Sequence, residues 1–191
     1  MRANRAIFIA AGLAAFIGMT SVTAAKAAVT LDSGQARPQA PGSDGSGDPS
    51  TSITFTVTSG ALTMSVPAAA YLGSGAPGAL ISAPIGACFV DDERALASAS
   101  WTVIAQETDF SNSPFTIPAG DATYTVGTVT TTGTITATPS DITLSNSAQT
   151  VLTGSSGVGD NTASWNPTLT VNVPATAVGG QYSGTLTQSV S

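Results

Sequence analysis

The chain predicts an all-β fold, a single antiparallel β-sandwich domain, and three observations carry that prediction. From Ser52 to the C-terminus threonine, serine and valine dominate. Apolar and polar residues alternate in short runs, and no apolar pattern is sustained at helical spacing. Glycines and prolines punctuate these runs, as they do between the strands of an all-β domain.

The elements follow in order. Ile53-Thr54-Phe55-Thr56-Val57 alternates and runs into Ser59-Gly60, so it predicts a first strand. Leu62 to Val66 alternates and stops at Pro67. Ile85 to Val90 is a continuous apolar run of the kind buried on both faces, with Cys88 read as a small buried hydrophobe. Asp91 to Ser98 has the one sequence that suits a helical turn and is expected to be a loop. Ser100 to Ala105 puts Trp101, Val103 and Ala105 on one face. Ala122 to Thr130, Gly133 to Thr138 and Gln149 to Thr153 predict further strands. Leu169 to Val173 ends at Pro174, and Tyr182 to Val190 closes the chain. The glycines of the intervening Pro174 to Gly180 can turn the chain, so these last two strands are expected to pair with each other. Strands with one apolar face each suit two packed sheets.

The N-terminal region reads as a secretory signal peptide, residues 1–27. A short basic start with Arg2 and Arg5 precedes an apolar run from Ala6 to Met19 and a small-residue stretch with Ala25-Lys26-Ala27 at the cut. The run is short for a membrane span, so no transmembrane span is expected after cleavage. Residues 28–51 read as a flexible linker. Their stretch from Asp32 to Thr51 has no aliphatic side chain larger than alanine and too little apolar surface to offset the entropy of ordering. The domain is placed at 52–191, and the chain is expected to be secreted or cell-wall associated.

Composition narrows the chemistry. The chain carries 5 basic and 11 acidic residues, net −6, with no histidine and one cysteine. Removal of Arg2, Arg5 and Lys26 leaves two basic residues against eleven acidic ones, a net of −9. That surface repels phosphate backbones, so nucleic acid is not an expected partner. A lone cysteine gives no intramolecular disulfide, and stability has to come from a core. Without histidine, and without lysine after cleavage, Ser-His-Asp, Cys-His and Ser-Lys centres are unavailable. Glu107, Asp109, Asp121 and Asp141 raise glycoside hydrolysis, which needs only a carboxylate pair. No aromatic-rich cleft segment accompanies them, so the protein is expected not to be an enzyme. Asp91, Asp92 and Glu93, and Asp160-Asn161, offer hard oxygen ligands for calcium. They lack the spacing of a calcium loop, and neither a metal nor another cofactor is expected.

A set of ordered motifs resembles a known family. The chain carries Gly60-Ala61-Leu62-Thr63-Met64 leading to Val66-Pro67, then Asp92-Glu93-Arg94, Ser100-Trp101-Thr102-Val103 and Asp109-Phe110. It ends with Val173-Pro174-Ala175, Gly180-Gln181-Tyr182 and Gly184-Thr185-Leu186-Thr187. Together these resemble the WxL domain of Gram-positive cell-surface proteins, in its divergent actinobacterial form, over essentially all of residues 52–191. The first WxL position reads Trp101-Thr102-Val103. The second reads Gln188-Ser189-Val190 and lacks its tryptophan. The resemblance implies non-covalent attachment to the cell wall through peptidoglycan. The expected partners are therefore cell-wall polymer or other surface proteins.

The candidate ligand-binding residues are Trp101, Trp165, Arg94 and Asp92. Each tryptophan reads either as a core anchor or as an aromatic platform for sugar rings. Arg94, the one cation of the domain, reads either as a structural ion pair with its acidic neighbours or as an anchor for a ligand carboxylate. A β protein with so few lysines also has weakly protected strand edges, which makes self-association through them the alternative role.

Overall fold

The computed structural model describes residues 50–191, and its compact unit runs from Thr56 to Ser191. The signal peptide and most of the linker lie outside the described residues. Strands make up 54% and helix 2% of the structure, and the strand pairs are antiparallel, so the all-β, sandwich-like class is the observed one.

The first sheet is organised by a long hairpin-like ribbon. Strand β3 (Cys88–Glu107) pairs with β10 (Gln149–Trp165), from Cys88 opposite Trp165 to Ala105 opposite Gln149. Strands β1 (Leu62–Ser65) and β12 (Leu186–Val190) pair with the other edge of β3. Strands β7 (Val129–Thr132) and β8 (Thr136–Pro139) pair with the other edge of β10. The second sheet has the order β2 (Leu80–Pro84), β11 (Thr168–Asn172), β6 (Ala122–Thr125) and β9 (Ile142–Thr143). A small hairpin, β4 (Phe110–Asn112) with β5 (Phe115–Ile117), precedes a single 3-10 turn at Ala119–Asp121.

Inward residues of both sheets make one core. Val90, Trp101, Val103, Ala105, Val151, Leu152 and Trp165 come from the β3–β10 ribbon, and Tyr124, Leu169 and Val171 from the second sheet. Trp101, Val103 and Ala105 share the buried face their alternation requires. A Cβ on Gly154, directly across from Trp101, would run into the indole ring, so glycine is what lets the ring lie flat on β10.

Several expectations are corrected. Ile53–Val57 forms no strand: it has no ladder partner among the described residues, and Ile53, Phe55 and Val57 are 85%, 88% and 74% exposed. Asp91–Ser98 is not a loop but the middle of β3, kinked where Ala95 takes a φ of 53°. Opposite it, the glycine-rich stretch after Thr153 stays in β10 and absorbs the kink through register shifts between Gly154 and Asn161. The apolar run at Ile85 is broken by Gly86, whose φ of 106° turns the chain from β2 into β3. Gly127, at φ 73°, likewise divides the predicted 122–130 strand between the two sheets. The last two strands do not pair with each other. β11 lies between β2 and β6, and β12 adds to β3 in the other sheet.

Candidate functional site

Of the candidate residues, Arg94 and Asp92 flank the kink of β3, and their geometry is that of a brace. Arg94 donates from Nε to Asp92 Oδ1 at 2.7 Å and from Nη2 to Asp92 Oδ2 at 2.8 Å. Its Nη2 also donates to the Ser100 carbonyl at 2.8 Å, and its backbone N–H to Asp92 Oδ1 at 3.2 Å. One guanidinium thus ties together the strand segments on either side of Ala95. Asp92 is fully buried, whereas the Arg94 side chain is 29% exposed. The guanidinium holds the Asp92 carboxyl below the usual carboxylate range, against the opposing effect of burial. Both Asp92 oxygens are occupied by Arg94, so the structural ion-pair reading fits this geometry and a ligand would have to displace it.

The two tryptophans belong to the core, each 3% exposed, and neither offers a ring to a glycan. Trp165 is part of a buried polar chain that joins the sheets. Its Nε1–H donates to Tyr124 Oη at 3.0 Å, and the Tyr124 hydroxyl donates to Gln188 Oε1 at 2.8 Å. Gln188 Nε2 in turn reaches Cys88 Sγ at 3.8 Å. Burial pushes both the Tyr124 hydroxyl and the Cys88 thiol up, which leaves the thiol protonated and unreactive. Gln188, read as the place of a missing tryptophan, is therefore the acceptor that allows a tyrosine hydroxyl to be buried.

The remaining carboxylates act separately. Asp109 Oδ1 accepts from the Ala119 N–H at 3.0 Å, and Asp141 Oδ1 from the Val126 N–H at 2.9 Å. Both tie down turns. Asn161 is buried and bonded through both ends of its amide: its Oδ1 accepts from Thr134 and Ile135 N–H, and its Nδ2 donates to the Gly159 carbonyl. No three acidic or cysteine side chains converge on a metal-sized site among the described residues. Glu107 differs from the rest. It is 2% exposed, its Oε1 has no hydrogen-bond partner, and burial raises its carboxyl to about 7 although the Thr108 N–H opposes the shift.

The surface is shallow at its two best-formed hollows, which measure about 130 and 210 Å³. Both fall below the roughly 300 Å³ at which small-molecule pockets begin. The larger is lined by Phe115, Ile117, Pro174, Ala177, Val178 and Tyr182. What the structure does present is a tract of exposed hydroxyls on Thr130, Thr131, Thr132, Thr136 and Thr138, and an aromatic ring on Tyr71, 76% exposed. Sequence reasoning passed over Tyr71. The signal available was its place among small residues after Pro67, outside any alternating run.

Nothing matches. No family model, curated protein or solved structure is similar to this chain. Its functional reading therefore rests on the residues and their geometry.

Proposed function

We propose that this chain is an exported, non-catalytic surface protein of WxL-like type that binds cell-wall polymer non-covalently across open polar surfaces. The observation that carries the reading is the threonine tract on β7 and β8. The exposed hydroxyls of Thr130, Thr132, Thr136 and Thr138 stand at strand spacing on the outer side of the first sheet, whereas Thr131 lies on the face it shares with buried Ala163. Regularly spaced hydroxyls exchange hydrogen bonds with sugar hydroxyls without a pocket. Tyr71 supplies the ring for stacking against a sugar face, the role the buried tryptophans do not fill. The absence of histidine anywhere in the chain and the dispersed carboxylates agree with a binding role.

The test is retention on purified cell walls, competed by soluble wall fragments. Tyr71→Ala is expected to weaken retention roughly tenfold, the upper range for one aromatic contact, with unchanged melting. Wild-type protein that washes through the walls would refute the reading.

A second reading, assembly through strand edges, is favoured by the exposed apolar alternation at Ile53, Phe55 and Val57.

A further inference from the structure

We infer that Ile53–Val57 is a donor strand that adds antiparallel to β1 of a second copy, each chain giving and receiving one strand in a two-fold dimer. This deepens the assembly reading by naming the partner and the register.

The donor has the alternation of a strand that covers an apolar face, yet Ile53, Phe55 and Val57 lie exposed and unpaired. The acceptor is an edge. β1 pairs with β3 on one side, and its other side has no ladder partner among the described residues. Leu62 and Met64 of β1 are half-buried at the margin of the core, and Val66 just beyond is 41% exposed. No charged residue occurs between Asp48 and Asp91, so neither donor nor edge carries the charges by which strand edges are usually protected.

The chain's own β1 is a poor acceptor. A hairpin that laid Val57 beside Leu62 would need Thr58–Ala61 as its turn. Two of those residues are already bonded to β3: the Gly60 N–H donates to the Glu93 carbonyl at 2.6 Å, and the Glu93 N–H to the Ala61 carbonyl at 3.0 Å. Pairing in trans keeps these bonds.

Two-fold symmetry allows a register that the alternation selects. With Ser59 opposite Gly60 of the partner subunit at the axis, Val57 faces Leu62 of the partner subunit. Phe55 then faces Met64 of the partner subunit, and Ile53 faces Val66 of the partner subunit. The other face pairs Thr56 with Thr63 of the partner subunit and Thr54 with Ser65 of the partner subunit. Apolar meets apolar and hydroxyl meets hydroxyl along the whole ladder. A slip of one residue sets Ile53, Phe55 and Val57 against Ser65, Thr63 and Ala61, and forfeits the match.

The experiment is sedimentation of the full chain, purified as its host produces it, over a concentration series. A reversible dimer is expected, and Phe55→Lys is expected to weaken it at least about tenfold without moving the melting temperature of the monomer. Oxidising a mixture of Thr56→Cys chains with Thr63→Cys chains should trap a heterodimer, because directly opposed Cβ atoms lie within disulfide reach. Cys88, fully buried, takes no part. A chain that stays monomeric, a dimer indifferent to Phe55→Lys, or trapping of Phe55→Cys with Thr63→Cys in place of the Thr56 pair would overturn the inference. Retention on cell walls by a strictly monomeric chain would overturn it too, while leaving the wall-binding reading in place.

Discussion

Glu107 carries a stability cost that depends on pH. Its carboxyl is buried with one oxygen unpaired, and its folded-state value of about 7 lies above that of an unfolded glutamate. Below about pH 4 both states are protonated, and the pH-dependent part of the cost vanishes. As pH rises towards 7 the unfolded state ionises first, so this group's contribution falls by up to about 1.4 kcal/mol per pH unit and then levels off. Glu107→Gln should abolish that decline and be more stable than wild type at pH 8, as denaturant melts at pH 5 and pH 8 would show. Asp92 has the opposite sign. Its lowered carboxyl stabilises the fold above the unfolded value and loses that contribution as pH falls through the folded one. Arg94→Ala leaves Asp92 buried and unpaired, and should cost about 3 kcal/mol at pH 7, near the lower bound for breaking a buried pair because the Arg94 side chain is partly solvated. A loss of wall retention at unchanged stability would instead make Arg94 a ligand anchor.

The β3–β10 ribbon shows what a single strand pair needs in order to bend. Trp101 lies over Gly154, and the kink at Ala95 is held by Arg94 and matched by the bulged stretch of β10. Gly154→Ala places a methyl group inside the indole contact and is expected to cost about 1–3 kcal/mol. The denaturation midpoint should drop without a change in slope, whereas an unchanged midpoint would mean that the ring has room to move. The alternation at 62–65 and 101–105 was legible in the sequence because one face of each strand is buried by the same core. The alternation at 53–57 is just as regular, yet it forms no strand, since a strand needs an edge to pair with and pattern alone does not provide one. The acidic stretch 91–98, expected to be a loop, misled for the converse reason. It has loop composition, but it is held in β3 by pairing, across bulges, with the glycine-rich stretch of β10.

For the molecule as a whole, the ordered motifs describe an outline and the packing assigns the roles. The sequence singled out Arg94, Asp92 and the two tryptophans as ligand candidates, and the structure places all four in the brace or the core. The exposed ring of Tyr71 and the threonine tract took their place because exposure is a property of the packed chain. By itself the sequence determined the all-β class, the positions of most strands, and the lack of the histidine that many catalytic centres use; alternation, turn residues and composition are local and can be counted. Only the tertiary structure decided that β12 joins β3 and not β11, that Gln188 satisfies a buried tyrosine, and that Ile53–Val57 has no strand partner among the described residues. Those outcomes depend on which distant edge or polar group lies opposite, and the chain establishes that only by folding.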